Sequence, residues 1–584
     1  MAGRTPVTLN ERVLCQLTAD LLAVGGVGID DGFVALGGDS IIAMQLVARA
    51  RKAGLRITVG DVLTRRDMEA LAQTAVPLEQ EPVPPVADSG VGPVVTTPIM
   101  HWLRERGGVV DTYNQFAVLR TPRGLTEPRL ASMVRALLDH HDILRLRLTV
   151  PGDGADWALE TLRAGAVDVA PAVRRIDVAG RPEQDWAALV RQESDAARDR
   201  LRPREANVLQ AVWFDAGPER RGLLALVVHH LAVDSLSWRI LADDLASAWQ
   251  AVERGAPIAL DPVPTSFRRW SRLLAEQART PAATAELPGW LHRSRPGAGR
   301  FGDRARVPGR DVESRERSFT QTLPAEFTEA LLTTVPSLYN AGVNDVLLAG
   351  LALALGDWHR ARGTVGDGTA LLHLEGHGRE DALAEVDLSR TVGWFTSLFP
   401  IRLDLGEPDR TEAHTTGAAV GNAVKRVKEQ VRGVPGKGVR YGLLRYLNPE
   451  TAEPLEKTAQ PEFVFNYLGR FEDSNDADWS VVAEYGTGLD DTGSGMPMAH
   501  SIELNAATVD RPDGPELRAT WTWADSVVSE ADTRELADGW FGMLRALAAH
   551  AREPGAGGLT PSDLTLSSLS QHEIEEIESD LRAF

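Results

Sequence analysis

A ten-residue stretch, HHLAVDSLSW at residues 229–238, decides how the largest part of this chain is interpreted. The apolar run Leu223–Val228 before it predicts a buried strand. The residues after it predict a helix whose apolar face carries Leu236, Ile240, Leu241, Leu245 and Trp249. Two imidazoles and a carboxylate therefore fall between a strand end and a helix N-terminus, where α/β folds usually keep their chemistry. A histidine there titrates near neutral pH and can take or give a proton.

The HHxxxD pattern alone leaves a structural role and a catalytic role equally open, because it is short. The chain also contains His140-His141-Asp142, which leads into the alternating run Ile143–Leu148 of a half-buried strand. We interpret that second site as structural. At the first site zinc binding is less favoured than proton transfer, because neighbouring cysteines and an H-x-x-x-H spacing are missing.

Length and composition predict a soluble, multidomain protein. A chain of 584 residues suggests roughly four domains. Apolar residues make up 43% and charged residues 25%, which is ordinary for globular protein. The net charge of −20 argues against nonspecific binding to nucleic acid or to an anionic membrane.

Cysteine usage and hydropathy predict a cytoplasmic location. Cys15 is the only cysteine, which excludes an intramolecular disulfide framework and fits a reducing compartment. It falls in a predicted amphipathic helix, where we expect a small buried hydrophobe. The polar N-terminus predicts no signal peptide, and the longest apolar run, Val346–Leu355, is too short to cross a bilayer.

Residues 1–76 predict a small helical domain. Thr8-Leu9-Asn10-Glu11 is a capping box that opens the first helix. A second helix is expected to begin near Ser40 and to end at Gly54. The proline-rich segment 77–95 then reads as an extended, semi-rigid linker.

Beyond the linker, strand-like and helical segments alternate, which predicts an α/β architecture. A Gly-, Pro- and Arg-rich break at 288–310 divides this region into lobes at 96–287 and 311–565. The tail, 566–584, is acidic and helix-prone, and it suits either a solvated cap or a docking segment.

The sequence LGGDSI at 36–41 places Ser40 at a glycine-rich turn before a helix. Glycines allow close backbone approach, and a helix N-terminus favours a phosphate. For an isolated serine, an N-cap would be the simpler interpretation. However, the first 75 residues resemble a peptidyl carrier protein, whose GGxS serine receives a 4′-phosphopantetheine arm. In that family an Asp before the serine, here Asp39, is typical of carriers that feed an epimerization domain.

The large region resembles an epimerization domain of nonribosomal peptide synthetases, because seven motifs occur in family order. They are TPIMHW at 97–102, HHLAVDSLSW at 229–238, NDVLLAG at 344–350, EGHGRE at 375–380, RTVGWFT at 390–396, PGKG at 435–438 with Tyr441-Gly442 after it, and FNYLG at 465–469. Met100-His101 departs from a more common Gln-containing form of the first motif. The EGHGRE, RTVGWFT and FNYLG forms separate epimerization from condensation domains, which share HHxxxD.

This resemblance implies both a fold and an activity. The fold is an all-α four-helix carrier followed by a two-lobed α/β domain like chloramphenicol acetyltransferase, with the active site in a channel between the lobes. The activity is inversion, L to D, of the α-carbon of an aminoacyl or peptidyl thioester tethered to Ser40. Proton removal and return through an enolate would carry it out, and no metal or second cofactor is implied.

Within this resemblance, His230 and Glu375 are the candidates for proton transfer on opposite faces of the α-carbon. An ion pair with Arg379 is the structural alternative for Glu375. We expect Asp234 to orient the loop, with Arg390 as its salt-bridge partner, and His229 to hold the loop or the tautomer of its neighbour.

Asn466 and Tyr467 could donate hydrogen bonds to the thioester or enolate oxygen. Strand packing is an equally good interpretation for both residues. The sequence also leaves open whether one base or two bases perform the inversion.

The implied partners are a phosphopantetheinyl transferase, upstream adenylation and condensation domains, and a downstream condensation domain of an antibiotic-type assembly line. Two rival functions remain: a condensation-type acyltransferase, which would need an amine acceptor, and a noncatalytic recruitment domain, which should lack the catalytic residues. The sequence leaves open which residue is inverted and whether the substrate is aminoacyl or peptidyl. It also leaves open the final product, the oligomeric state, and whether the chain is a fragment.

Overall fold

The computed structural model describes sixteen stretches of the chain. They are residues 4–22, 24–38, 40–77, 88–150, 152, 156–297, 300–302, 304–307, 309–363, 369–379, 386–406, 417–472, 477–482, 485, 495–564 and 569–583. Asp39 and Glu380, and much of the predicted linker, lie outside these stretches.

The N-terminal unit is the predicted four-helix domain. Its elements are α1 Leu9–Leu22, α2 Ser40–Lys52, β1 Leu55–Arg56, α3 Val59–Thr64, α4 Met68–Thr74 and β2 Val76–Pro77, with β1 and β2 antiparallel. The capping box is present, because Glu11 N–H bonds the Thr8 hydroxyl and Thr8 N–H bonds the Glu11 carboxylate. Cys15 is buried in the core as expected. Gly54 ends α2 with φ +84°, a left-handed conformation that favours glycine.

The N-terminal lobe of the large domain contains two small sheets. Its elements are β3 Gly92–Val94, α5 Pro98–Arg106, β4 Asn114–Arg120, α6 Glu127–His140, β5 Leu146–Thr149, β6 Ala158–Thr161, β7 Val173–Asp177, α7 Trp186–Arg198, β8 Leu209–Asp215, β9 Leu223–His229, α8 Ser235–Glu253 and α9 Phe267–Ala278. The strand orders are β3-β6-β5 and β4-β9-β8-β7. Every side chain of β9 is buried, which explains its unbroken apolar sequence.

The C-terminal lobe is built on one six-stranded sheet in the order β10-β15-β14-β13-β11-β12. Its strands are β10 Glu316–Leu323, β11 Thr369–Gly376, β12 Ser397–Asp404, β13 Phe463–Glu472, β14 Ile502–Arg511 and β15 Gly514–Ala524. Its helices are α10 Pro281–Thr284, α11 Leu287–Arg293, α12 Ala325–Glu329, α13 Val335–Tyr339, α14 Val343–Ala361, α15 Ala418–Arg432, α16 Val439–Gly442, α17 Pro449–Glu456, α18 Glu530–His550 and α19 Gln571–Ala583. Two π-helical turns, Ala330–Thr334 and Leu443–Leu447, interrupt the regular helices.

Two segments from the sequence range of the C-terminal lobe pack on the N-terminal lobe. Val392, Trp394 and Phe395 join the N-lobe core. The segment around Val482 extends the N-lobe sheet, because Val482 N–H donates to Val118 O at 2.8 Å. The lobes are therefore connected by more than one chain crossing, and the site at their junction is held from both sides.

Several predicted boundaries differ from the structure. Residues 88–95 of the predicted linker belong to the N-lobe, because Asp88 pairs with Arg268 at 3.0 Å and β3 pairs with β6. Residues 288–293 of the predicted inter-lobe break lie within helix α11, whose Trp290 is fully buried in the C-lobe core. In both places local Pro and Gly content was outweighed by tertiary packing.

The acidic tail forms helix α19 and packs on the C-lobe. Ile574 is 3% exposed, and Lys425 of α15 lies 3.9 Å from Glu578. Among the described residues no single helix is long and apolar enough to cross a membrane. One bent pair, Ala325–Tyr339 with Val343–Ala361, meets the length and composition criteria together.

Candidate active site

His230 follows β9 directly, and its hydrogen bonds define its tautomer. Nδ1 lies 2.8 Å from the carbonyl oxygen of Val233, so Nδ1 carries the proton and donates it. Nε2 is therefore the basic nitrogen. It lies 3.1 Å from the side-chain nitrogen of Gln115, which donates to it. The Gln115 oxygen in turn accepts from Trp238 Nε1 at 3.0 Å. His230 is thus oriented as a neutral base.

Aromatic rings enclose the His230 imidazole. Tyr113 stacks on it with a centroid separation of 5.1 Å, and the Trp394 ring lies at 4.3 Å. Burial among these groups lowers the pKa of His230 to about 4, so the ring is neutral at pH 7. Negative charge developing beside the ring would favour its protonated form.

His229 supports the loop. Its Nε2 donates to the Val110 carbonyl at 2.8 Å, and its Nδ1 accepts from Leu231 N–H at 3.2 Å. The residue is fully buried, and burial lowers its pKa to about 4. Both nitrogens are occupied by backbone partners. This arrangement agrees with the loop-holding role that was one prediction for His229, and we therefore class it as a positioning residue.

Asp234 links the two sides of the junction. One carboxylate oxygen caps α8 by accepting from Ser237 N–H at 2.8 Å, and the other accepts from Phe395 N–H at 3.2 Å. Arg379 completes the set, with its guanidinium 3.0 and 3.2 Å from the two oxygens. Arg379 also donates to the Leu388 carbonyl at 3.1 Å. The predicted orienting role of Asp234 fits this geometry.

The predicted partner of Asp234 was wrong. Arg390 pairs with Asp244, whose other oxygen bonds His141 Nε2 at 2.8 Å. Because Arg379 is committed to Asp234, the alternative ion pair of Arg379 with Glu375 is not formed either. The His140-His141-Asp142 site accordingly has a structural role, since His141 is buried beneath α8.

Loss of the Asp234 charge is expected to destabilise the large domain. In Asp234→Asn the buried Arg379 would lack a counter-charge, which costs about 3–5 kcal/mol in comparable pairs. Thermal or denaturant unfolding measures this. The double variant Asp234→Asn with Arg379→Gln should recover part of the loss, because no uncompensated charge remains. Equal stability of the single variant and the wild type would contradict the role of this pair.

Glu375 is on β11 of the C-lobe and faces away from its core. The neighbouring side chains Leu372 and Leu374 are buried in that core, whereas Glu375 alternates to the opposite face. Its carboxylate accepts from the Asn466 side-chain amide at 3.0 Å. Burial, with a smaller contribution from the charge of Glu503, raises the pKa of Glu375 to about 7. A substantial fraction of Glu375 is therefore protonated at neutral pH.

Tyr467 does not share this face. It is adjacent to Asn466 on β13, so the two side chains alternate. The Tyr467 hydroxyl bonds the Thr508 hydroxyl at 2.9 Å, and its ring packs on the C-lobe core. Of the two interpretations left open for Tyr467, this geometry favours strand packing over donation to a substrate oxygen. Asn466 remains in the site.

A cavity lined by residues of both lobes lies at their junction. Trp394, which contacts His230, forms part of its wall. His373 and Leu398 form another part, and they are the strand neighbours of Glu375 on β11 and β12. His230 contacts Trp394 of the cavity wall, and Glu375 pairs with Leu398 of the same wall, so each residue lies beside this cavity.

Gln115, Tyr113 and Arg379 belong to the site but were not predicted as functional residues. Gln115 and Tyr113 precede His230 by more than a hundred residues, and β4–β9 pairing brings them together. Only a prediction that β4 pairs with β9, two strands far apart in the sequence, would have placed Gln115 and Tyr113 beside His230. Arg379 belongs to the EGHGRE motif, which suggested it only as an alternative ion-pair partner of Glu375; it pairs with Asp234 instead.

The carrier contacts the large domain through the basic end of α2 and the loop before it. Arg51 forms an ion pair with Asp387, and Lys52 Nζ lies 2.5 Å from Asp261. A side chain added at Gly37 would meet the Arg470 guanidinium at 3.4 Å. Arg470 lies on the same strand as Asn466, four residues further, which corresponds to roughly 13 Å. The loop before α2 therefore lies near the C-terminal end of β13, the strand whose Asn466 contacts Glu375.

The loop before Ser40 fits an attached phosphodiester. Gly37 has φ +91°, and a Cβ at Gly38 would lie 2.4 Å from the ring of Phe33, so the turn tolerates no larger residue. Ser40 is the first residue of α2, a helix of 13 residues, whose N-terminus favours negative charge. Asp39 lies outside the described residues, so its predicted significance stays a prediction.

Comparison with known families assigns both parts of the chain. The condensation-domain family matches residues 107–565, and the phosphopantetheine attachment site family matches residues 12–75. One of the linear gramicidin synthase proteins of Brevibacillus parabrevis is 35% identical over 587 residues, covering 98% of this chain and 7% of that protein. Another protein of the same synthase is 34% identical and covers 97% of this chain and 10% of its own length. The chain thus spans a tenth or less of these relatives.

Among solved structures, the epimerization domain from the third module of tyrocidine synthetase B is similar, with a TM-score of 0.67 and 26% identity. The match covers 79% of this chain and 98% of that domain. The X-domain from teicoplanin biosynthesis, at 19% identity and a TM-score of 0.55, shares the fold alone. The predicted fold class, a helical carrier followed by a two-lobed α/β domain, is confirmed.

Proposed function

Since this chain belongs to the condensation-domain family of nonribosomal peptide synthetases and carries a phosphopantetheine attachment domain ahead of it, we propose that it inverts the α-carbon of an aminoacyl or peptidyl thioester. The observation that supports this most strongly is that His230 and Glu375 both lie beside the cavity at the lobe junction. They come from opposite lobes, and their shifted pKa values leave His230 neutral and a substantial fraction of Glu375 protonated near pH 7. Inversion needs removal of a proton from one face and delivery to the other.

The arm on Ser40 tethers the acyl group and provides a thioester, whose α-proton is more acidic than that of an amide. We propose that His230 Nε2 takes this proton, while the Nδ1–H bond to the Val233 carbonyl stabilises the imidazolium that forms. Gln115 donates to Nε2 in the resting site, so its amide must yield that position to the substrate.

Glu375 then delivers its carboxyl proton to the opposite face of the carbon. Asn466 orients the carboxyl group through the 3.0 Å hydrogen bond. After this step the site holds an imidazolium and a carboxylate, which is the protonation state required for the reverse direction. For another turnover in the same direction, His230 must lose its proton and Glu375 must regain one.

Carrier docking supports delivery of the substrate in cis. The basic residues Arg51 and Lys52 meet acidic residues on the large domain, and the linker keeps the local concentration of the carrier high. A phosphopantetheinyl transferase would attach the arm. Adenylation and condensation domains would supply and consume the acyl group, in the cytoplasm, for an antibiotic-type peptide containing a D-residue.

Charge reversal at the docking contact is expected to slow turnover. In Arg51→Glu a like-charge pair with Asp387 replaces the ion pair, and we expect a roughly five- to tenfold lower single-turnover rate at low salt. Asp387→Arg alone should have a similar effect, and the two changes together should restore much of the rate. Lys457→Glu, which alters an exposed charge just after α17, is the matched control.

The double variant distinguishes docking from folding. If Arg51→Glu with Asp387→Arg is as slow as either single variant while all three remain folded, then the contact does not guide the carrier. A fall in the wild-type rate with increasing ionic strength should accompany the ion-pair effect.

The function itself is tested by chiral analysis. The protein is loaded at Ser40 with an L-aminoacyl or dipeptidyl phosphopantetheine, incubated, and the acyl group is released and separated by chiral chromatography. The opposite epimer is expected. A parallel sample contains a second aminoacyl carrier as an amine acceptor, and amide formation there without inversion would favour condensation instead. Neither product, across a varied substrate panel, would favour the recruitment function.

A further inference from the structure

A buried chain of three polar side chains lies beside Glu375 and has no role in the proton transfer described above. His373 Nδ1 is 2.9 Å from His500 Nε2, and His500 Nδ1 is 3.4 Å from the Glu503 carboxylate. His373 and His500 are 6% and 3% exposed, respectively. The chain connects the cavity wall, which His373 lines, to the strand β14 that carries Glu503.

Sheet register places this chain on the face that carries the acid. His373 and Glu375 are two residues apart on β11, so their side chains point to the same side. His373 pairs with Val464, and Val464 pairs with Glu503 across β13 and β14. Glu503 therefore lies two strands away from β11. It is level with His373, and thus two residues along the strand direction from the level of Glu375 and Asn466.

The hydrogen bonds set the protonation of the chain. The Glu503 carboxylate can only accept, so His500 Nδ1 carries a proton and donates it. Burial lowers the pKa of both histidines, which favours their neutral forms. A neutral His500 has its lone pair on Nε2, so it accepts from His373 Nδ1–H. Both imidazole dipoles are thus directed to stabilise negative charge on Glu503.

Charged groups from both lobes complete the surroundings. Arg106 of α5 donates to the Pro497 carbonyl at 2.5 Å and pairs with Glu313. The positive charges of Arg106 and Arg306, with the His500 hydrogen bond, offset the burial of Glu503 and lower its pKa. The charge of Glu503, in turn, acts in the same direction as burial on the pKa of Glu375, which it raises. The titratable and charged groups around the pair are His373, His500, Arg106, Arg306 and Glu313, with Asn466 as the polar neighbour of Glu375.

We propose that Glu503, fixed as a carboxylate by His500 and by arginines at the lobe junction, is a positioning residue that keeps Glu375 in its protonated form between turnovers. The inference rests on the proposed function, because only an acid at Glu375 needs such a partner. Its chemical basis is the repulsion between two carboxylates in one poorly solvated region. Glu503 delivers no proton and touches no substrate.

Infrared difference spectroscopy tests this without requiring turnover. The carboxyl stretch of protonated Glu375 is isolated by subtracting the spectrum of Glu375→Gln from that of the wild type at each pH. The same subtraction is made in the Glu503→Gln background, using the Glu503→Gln, Glu375→Gln double variant. We expect the Glu375 titration midpoint to fall by about half to one pH unit when Glu503 is neutralised.

Three matched variants make the result specific. Glu503→Asp keeps the charge and should retain most of the wild-type midpoint. Glu516→Gln removes a half-exposed carboxylate that pairs with Arg511 on the same sheet, and it should leave the midpoint unchanged. If Glu503→Gln does not fold because its arginines lack a counter-charge, then Glu503→Gln with Arg306→Gln should fold and shift the midpoint in the same direction.

The activity profile provides the second readout. In Glu503→Gln the loss of epimerization at alkaline pH should begin at a lower pH, by the same half to one unit. A uniform loss at all pH values with an unchanged infrared midpoint would overturn the proposal. If the wild type does not epimerize any substrate but the infrared midpoint shifts, then the proposed function fails while the electrostatic coupling of Glu503 to Glu375 stands.

Discussion

Replacement of His230 by alanine is expected to lower the rate of α-carbon inversion by about 10²–10⁴-fold, which is the usual contribution of a positioned acid–base group. Its Nε2 is the nitrogen that can accept a proton, since Nδ1 donates to the Val233 carbonyl. Single-turnover inversion of an acyl group loaded on Ser40 measures the effect. Carrier loading and thermal unfolding of the variant should match those of the wild type.

Tyr467→Phe is the matched control for the His230 variant. The Tyr467 hydroxyl contacts Thr508 on the core side of the sheet, so its removal should change the rate by less than about twofold. If His230→Ala retains wild-type inversion, or if Tyr467→Phe loses as much activity, then the assignment of the base is wrong.

Replacement of Glu375 by glutamine is expected to have a similarly large effect on inversion. The amide keeps the size of the side chain and can still accept from Asn466, but it cannot exchange a proton with carbon. We expect a loss of about 10²–10⁴-fold in the single-turnover rate. Wild-type activity itself should decline as the pH rises through about 7, because Glu375 then ionises. Activity of Glu375→Gln near the wild-type level would exclude Glu375 as the acid.

The same substitution should stabilise the protein at alkaline pH. The folded-state pKa of Glu375 is raised to about 7 from 4.5, so the ionised group disfavours folding. This penalty is absent below the unfolded-state pKa, grows between the two values, and is complete above pH 7. Glu375→Gln lacks it, and its stability relative to the wild type should be about 2–3 kcal/mol greater at pH 8 than at pH 5. An equal difference at the two pH values would show that Glu375 titrates normally.

The elements that the sequence predicted well are those with strong local patterns. The continuous apolar run of β9 and the 3.6-residue periodicity after it predicted the strand, the turn and α8 that carry His230 and Asp234. The capping box at Thr8 and the glycine at position 54 predicted the ends of carrier helices correctly. The linker and lobe boundaries were less accurate, because Pro- and Gly-rich segments such as 288–293 became ordered through tertiary packing.

Within the site, single residues were easier to predict than their partners. His230 and Glu375 could be selected by residue type and by motif, but the exchange of partners between Arg379 and Arg390 depends on how the RTVGWFT segment packs on the N-lobe. The strand pattern already implied that Asn466 and Tyr467 alternate along β13. Which of the two side chains faces the junction could be assigned only from the packing of the complete sheet. Gln115 could have been predicted as a site residue only from the pairing of β4 with β9.

The most direct test of proton transfer between His230 and Glu375 is the position of deuterium after a brief incubation in deuterated water. The L-acyl group on Ser40 is released at early times, the epimers are separated, and mass spectrometry measures deuterium at each α-carbon. If His230 removes the α-proton and Glu375 delivers a different one, deuterium should appear in the newly formed epimer. The remaining starting epimer should then retain its original hydrogen. Rapid appearance of deuterium in the starting epimer, or a new epimer that carries no deuterium, would instead indicate a single base, and absence of any new epimer would contradict epimerization altogether.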